Sequence, residues 1–246
     1  MIEVKNITKL YKNNDGIKNV SFNLKESCLL SLIGENGAGK TTTIKAIFKE
    51  AKLDSGKILI DGDNLHTNNN LRKIAFFPDS NNIPLNIKSK DYINYICATI
   101  GLSKKAYKDN LNIIVDLLKI NNLMNKKIKE LSAGQKKKII MASVLIREPK
   151  YIFFDEPTAN LDISSKTEFI SIIKYLKNLK ISMLITSHLL DELQEISDHI
   201  VILNKGSVVY NQSFDSNKEN IKDLYNNYIS SKKIQLEDLN KVFKSK

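Results

Sequence analysis

Ser31-Leu-Ile-Gly-Glu-Asn-Gly-Ala-Gly-Lys-Thr-Thr-Thr43 fits the pattern G-x-x-x-x-G-K-[ST] with Gly34, Gly39, Lys40 and Thr41. An apolar run from Cys28 to Ile33 feeds into it as a buried strand would. Beyond it, Lys40 to Glu50 carries Ile44, Ile47 and Phe48 at helical spacing. Strand, loop and helix in that order are the context this motif requires. Glycines let such a loop wrap an anion so that backbone N–H groups point inward, while the positive end of the following helix faces the same charge. The reading that follows is a nucleotide triphosphate held by Gly34, Glu35, Asn36, Gly37, Ala38, Gly39, Lys40, Thr41 and Thr42. Lys40 would reach the β and γ phosphates, and Thr41 would coordinate Mg²⁺. Only nine glycines occur in the chain, and three of them crowd this loop.

Working outward, 246 residues with 42% hydrophobic content suggest one nucleotide-binding body with an inserted subdomain. Cys28 and Cys97 are far apart and lack partners at metal spacing, which suggests neither a disulfide framework nor a zinc site. The start Met1-Ile-Glu-Val-Lys-Asn has no apolar signal region, and no window approaches eighteen apolar residues. A reducing cytoplasm is the simple expectation, with any membrane role exercised through a partner. The net charge of +11 comes mostly from Lys spread along the chain. Lys136-Lys137-Lys138 is the one run, and three successive helical positions splay around the axis. It reads as a solvated face, and no direct nucleic-acid contact is expected.

Ile2 to Tyr11 and Val20 to Leu24 alternate apolar and polar residues, as antiparallel strands do, around an Asn13-Asn14-Asp15-Gly16 turn. Tyr11, at the end of the first strand, is either a core or rim residue or a platform for a base. Gly56 to Asp61 and Lys73 to Phe77 read as further strands, followed by the turn formers Pro78 to Asn82. From Ile87 to Ile146 the period is helical, which marks a helical insertion. It ends in Lys129-Glu-Leu-Ser-Ala-Gly-Gln135, after which Lys136 to Arg147 is helical. Ser132 and Gln135 form a capping box. Gly134 costs the first turn about 1 kcal/mol of helix propensity, so something is expected to approach its backbone closely. This helix start is either an ordinary cap or a second anion site.

Lys150-Tyr-Ile-Phe-Phe-Asp-Glu156 is a buried parallel strand ending in two acids. Asp155 is placed to hold Mg²⁺. Glu156, one residue later, could deprotonate an attacking water. Ile181 to Thr186 is another strand, ending at Ser187-His188, where His188 is either structural or a γ-phosphate contact.

Taken together, Tyr11, the glycine loop, Leu131-Ser-Ala-Gly-Gln135, Phe-Phe-Asp155-Glu156, Ala159-Asn-Leu-Asp162 and His188 resemble the ATP-binding cassette ATPases over residues 1 to 212. The resemblance implies an α/β P-loop fold: a mixed sheet flanked by helices, an antiparallel β subdomain and an inserted helical subdomain. It implies a single cassette, with core 1–79 and 149–212, helical subdomain 80–148 and C-terminal extension 213–246. ATP and Mg²⁺ are the implied ligands, with Glu156, His188 and Lys40 as the catalytic set. Two cassettes closing head to tail would let Ser132, Ala133, Gly134 and Gln135 complete the partner's site and let Asp162 cross the dimer. The implied partners are that second cassette and a membrane-spanning permease, at the inner face of the cell membrane. Gln235-Leu-Glu-Asp-Leu239 resembles the tail of single-cassette peptide or antibiotic exporter subunits. The alternative is a soluble cassette acting on ribosomes, DNA or iron–sulfur assembly. A third class, a GTPase or small-molecule kinase, is disfavoured, since no Asn-Lys-x-Asp element follows the loop. Two departures stand out: Ala133 where the family has Gly, and Asp79 where it has a Gln that touches Mg²⁺, so Asp79 is a candidate metal ligand.

Overall fold

A computed structural model describes residues 1–13, 15–67, 70–79 and 83–229. In chain order its elements are β1 (Ile2–Leu10), β2 (Gly16–Leu24), β3 (Leu29–Ile33), α1 (Lys40–Ile47), β4 (Ser55–Ile60), β5 (Asp63–Asn64) and β6 (Ile74–Phe77). Then come α2 (Ser89–Thr99), α3 (Lys104–Leu117), α4 (Ala133–Leu145), β7 (Tyr151–Asp155), α5 (Ile163–Asn178), β8 (Ser182–Thr186), α6 (Leu190–Gln194), β9 (His199–Asn204), β10 (Ser207–Ser213) and α7 (Ile221–Tyr228).

The strands make two sheets. One is antiparallel with order β2-β1-β4-β5; the other has order β10-β9-β3-β8-β7-β6. In the second, β9, β3, β8, β7 and β6 run parallel and β10 is an antiparallel edge. A parallel sheet covered on both faces needs apolar residues at every position, and period-two alternation then sorts them into two cores. Leu30, Leu32, Tyr151, Phe153, Leu184, Val201 and Leu203 face the antiparallel sheet and α1. Leu29, Ile33, Ile152, Phe154, Met183, Ile185, Ile200 and Ile202 face the cluster that includes α2, α4 and α5 residues. Both faces are sealed, and truncating Leu30 to Ala would cost about 2–5 kcal/mol.

Element identities match the expectation, and several boundaries move. β1 stops at Leu10 because the Tyr11 N–H turns back to the Asp15 carbonyl at 2.8 Å. β2 starts at Gly16, which pairs with Leu10. A side chain at Gly16 would meet the Lys9 carbonyl oxygen at 2.0 Å, so this close turn requires glycine. α4 starts at Ala133, immediately after its cap, rather than at Lys136. No helix among the described residues is long and apolar enough to cross a membrane. The tail motif at 235–239 lies outside the described residues.

Candidate functional site

The loop between β3 and α1 folds around its own lysine. Lys40 is 7% exposed, and its ammonium donates to the carbonyls of Gly34 at 2.7 Å and Glu35 at 3.2 Å. Burial pushes that ammonium's pKa down, while the Glu156 and Asp155 carboxylates pull it back up. Gly39, at φ +105°, precedes the first residue of α1 in a conformation that few side chains accept. Gly37, at φ +83°, has nothing within 4 Å of where a Cβ would stand.

β7 and β8 deliver the acidic half. Their paired ends set Asp155 beside Thr186, and the Thr186 hydroxyl donates to Asp155 Oδ1 at 2.7 Å. The Thr41 hydroxyl donates to the same oxygen at 3.3 Å. Asp155 is 4% exposed. A hydroxyl and a carboxylate side by side are hard oxygen donors of the kind Mg²⁺ takes alongside phosphate oxygens. Among the described residues no cluster of three or more His, Cys, Asp or Glu could cage a metal alone, so the fit is to a cation shared with a phosphate.

Glu156 stands one step further out, at φ +49°. Its N–H donates to the Thr186 carbonyl at 3.2 Å and to the Thr186 hydroxyl at 3.1 Å. Its carboxylate oxygen Oε2 lies 2.8 Å from His188 Nδ1. A cleft of about 510 Å³ is lined by Tyr11, Asp15, Gly16, Asn36, Gly37, Gly39, Lys40, Thr41, Thr42 and Glu156. A smaller hollow beside it joins Gly34, Glu35 and Asn36 to His188 and Tyr225. Tyr11 is 47% exposed at the cleft's rim, with Lys9 Nζ 5.6 Å from its ring centroid.

Ser132, Ala133, Gly134 and Gln135 are not brought into this cleft. They form the predicted capping box: the Gln135 N–H donates to Ser132 Oγ at 3.2 Å, and the Ser132 N–H donates to Gln135 Oε1 at 3.1 Å. What approaches Gly134 is Ser165 of the same chain, whose Oγ would lie 3.0 Å from an added Cβ. Ser165 in turn donates its N–H and its hydroxyl, each at 2.9 Å, to Asp162, the N-cap of α5. Asp79 follows β6, and its carboxylate acts on the charge of Lys137.

The lysine run requires a correction. Lys137 is completely buried, not solvated. Its Nζ donates to the carbonyls of Glu156 at 3.0 Å, Pro157 at 2.6 Å and Ala159 at 2.8 Å. Burial pushes its pKa down to about 8, opposed by the carboxylates of Asp79, Glu156 and Glu192 and aided by the charge of Lys166. The sequence held a signal for this: positions 137, 141 and 144 share one helical stripe, and Met141 and Val144 are buried on it. Thr186 was also passed over, although it ends the strand beside Asp155.

Known proteins resemble this chain in sequence and in fold. The SkfA peptide export ATP-binding protein SkfE of Bacillus subtilis is 28% identical over 209 residues, 85% of this chain and 87% of that protein. The lantibiotic transport ATP-binding protein SrtF of Streptococcus pyogenes is 29% identical over 229 residues, 93% of this chain and 97% of that protein. The spermidine/putrescine import ATP-binding protein PotA of Mycoplasma mycoides is 33% identical over 222 residues, 85% of this chain but 60% of that protein. Two solved structures share the fold. An ATP-binding subunit of an ABC transporter superposes with TM-score 0.82 at 24% identity over 93% of this chain and 99% of that one. A dimeric, post-hydrolysis ATP-binding cassette bound to ADP and Pi has TM-score 0.77 at 22% identity over 87% and 99%. The sequence profile of the ABC transporter family matches residues 17–159, across β2, the glycine loop, α4 and β7. This chain belongs to that family, as one of its ATP-binding proteins.

Proposed function

We propose that this chain binds Mg²⁺-ATP and hydrolyses it in the cleft between the glycine loop and the end of β7, and that this hydrolysis powers a membrane exporter. The observation that carries the reading is that Glu156 lines the same cleft as Lys40 and Thr41, with its carboxylate oriented by His188 at 2.8 Å. Lys40 exchanges its two loop carbonyls for β and γ phosphate oxygens, a stronger pairing because both partners are charged. Thr41 and Asp155 are the residues that would hold Mg²⁺, which supplies charge neutralisation at the phosphates. Glu156 takes a proton from water as the water oxygen bonds to the γ-phosphorus and the bond to the bridging oxygen breaks. His188 keeps Glu156 facing the γ-phosphate. Tyr11 stacks on the base. Asp79 would offer the metal a further carboxylate, directly or through water.

Ser132 is exposed on a helix start that the chain's own cleft does not use. That supports a head-to-tail pair of cassettes in which Ser132 to Gln135 complete the partner's phosphate site and Asp162 lies at the shared surface. A cassette of the same fold is dimeric with ADP and Pi bound, which supports pairing as such. The exporter reading, with a permease partner at the inner membrane face, draws on near full-length similarity to peptide export and lantibiotic transport subunits. It is tested by purifying the full chain from native membranes in detergent. Co-purification with a spanning protein that stimulates hydrolysis, and accumulation of a peptide outside vesicles rather than inside, is expected. Uptake in place of export would overturn the direction, and a chain found free of membranes would favour the soluble reading.

A further inference from the structure

All three donors of the Lys137 ammonium are used, and every acceptor belongs to the turn that follows β7. That turn is unusual in its backbone. Glu156 at φ +49° and Asn160 at φ +61° are both left-handed, and three carbonyls between them converge on one point. Converging carbonyl dipoles repel one another unless a cation sits among them. Lys137 is that cation.

The consequence for Glu156 is specific. Its N–H is tied to Thr186 at the end of β8, and its C=O is tied to Lys137 on α4. With both backbone groups held, little freedom is left in where the side chain starts. Its carboxylate then meets His188 at the cleft. The turn is held further along as well, since the Thr158 hydroxyl donates to the Glu192 carboxylate. A lysine that merely filled space would need no fan of carbonyls, and Met, of similar length and without a desolvation cost, would fill it better.

We propose that Lys137 is a positioning residue for hydrolysis: its buried ammonium fixes the left-handed turn at Glu156 and ties that carboxylate to α4, the helix that opens with Ser132 to Gln135. The proposal rests on the reading of Glu156 as the base. A displacement of α4 is thereby carried to the hydrolytic carboxylate through one side chain, without passing through the phosphate loop.

The test is steady-state Mg²⁺-ATP hydrolysis by the full chain carrying Lys137→Met or Lys137→Gln, with Glu156→Gln alongside. Misplacing a catalytic group by a fraction of an ångström to one ångström costs roughly ten- to a hundredfold. The Met variant is therefore expected to lose kcat in that range while KM for ATP stays within about twofold. Gln restores two donors and is expected to recover part of kcat, and it keeps the test alive if the Met variant does not fold. Hydrogen exchange should accelerate at the amides of Glu156 and of residues 158–161, Pro157 having none, and stay unchanged at 34–43. A folded Met variant with wild-type kcat, or a loss expressed in KM instead of kcat, overturns the proposal. If Glu156→Gln itself turns over normally, the base assignment has failed instead, and the two failures are told apart.

Discussion

Two loops frame the cleft, and both curl their carbonyls around a lysine. In the loop at 34–39 the lysine is Lys40, five or six residues from the carbonyls it holds. In the turn at 156–160 it is Lys137, 19 to 22 residues away on another element. Lys40 makes two such bonds and sits in the cleft wall, so phosphate can draw it away. Lys137 makes three and is sealed. The same device thus serves two ends: a held cation that a ligand can release is a binding group, and one that nothing can reach is a structural pin.

The sharpest way to break that contrast is to remove the releasable lysine. Lys40→Ala is expected to weaken ATP binding by roughly a hundredfold or more, the equivalent of losing charged hydrogen bonds of about 1.5–3 kcal/mol each. The fold should survive, because the two bonds Lys40 makes lie within one loop and Lys40 belongs to neither core. Titration calorimetry checks it, and unchanged affinity would mean that Lys40 is as structural as Lys137.

Glu156→Gln separates binding from chemistry on the other loop. The amide keeps the size and the backbone turn but removes the base, so turnover is expected to fall about a hundredfold or more with ATP binding retained. Closed dimers should accumulate with Mg²⁺-ATP. Light scattering together with phosphate release checks both, and monomers with normal release would refute the role.

The difference in reach also explains what could be read from residues alone. The glycine loop is a local device, with strand, turn and helix contiguous in sequence, so Gly34 to Thr43 disclosed it. The strands were legible for the same reason, because an apolar run or a period of two is a property of neighbours, whereas the division of the parallel sheet's side chains between two cores shows only in the fold. Lys137 was misread because its meaning depends on a turn 19 residues downstream and on a buried face shared with Met141 and Val144. A charged residue in a Lys run looks solvated until that stripe is weighed. The capping box at Ser132 was legible, while the neighbour of Gly134 was not, since Ser165 reaches it only through the fold.

Asp79 tests how far the sealed lysine depends on its surroundings. Its carboxylate is the first of the charges that sustain Lys137 against burial. Asp79→Ala is expected to lower turnover by up to about fivefold, the scale of one solvent-screened charge pair, whereas Asp79→Gln should lose less. The Mg²⁺ dependence of hydrolysis for the three forms is the measurement. Three superimposable curves would make Asp79 a turn residue with no part in either the metal or Lys137.

The smallest expected effect on stability and on ATP affinity comes from Gly134→Ala, whose loss is expected in turnover. In the helix interior alanine is favoured over glycine by about 1 kcal/mol, while the new Cβ would stand 3.0 Å from Ser165 Oγ and 3.8 Å from Leu161 Cδ2. The two terms oppose each other, so thermal stability of the monomer is expected to change by less than about 1 kcal/mol, as denaturant titration would show. ATP affinity at the chain's own cleft should not change, because Gly134 does not line it. What distinguishes the two explanations of this glycine is the double variant Gly134→Ala with Ser165→Ala, which removes the crowding hydroxyl and leaves the Ser165 N–H on Asp162. If glycine is needed only to admit Ser165, the double variant regains full turnover. If it is needed so that a second cassette's phosphate can approach the backbone, turnover stays low although the crowding is gone, and this second outcome is the one expected from a pair of cassettes.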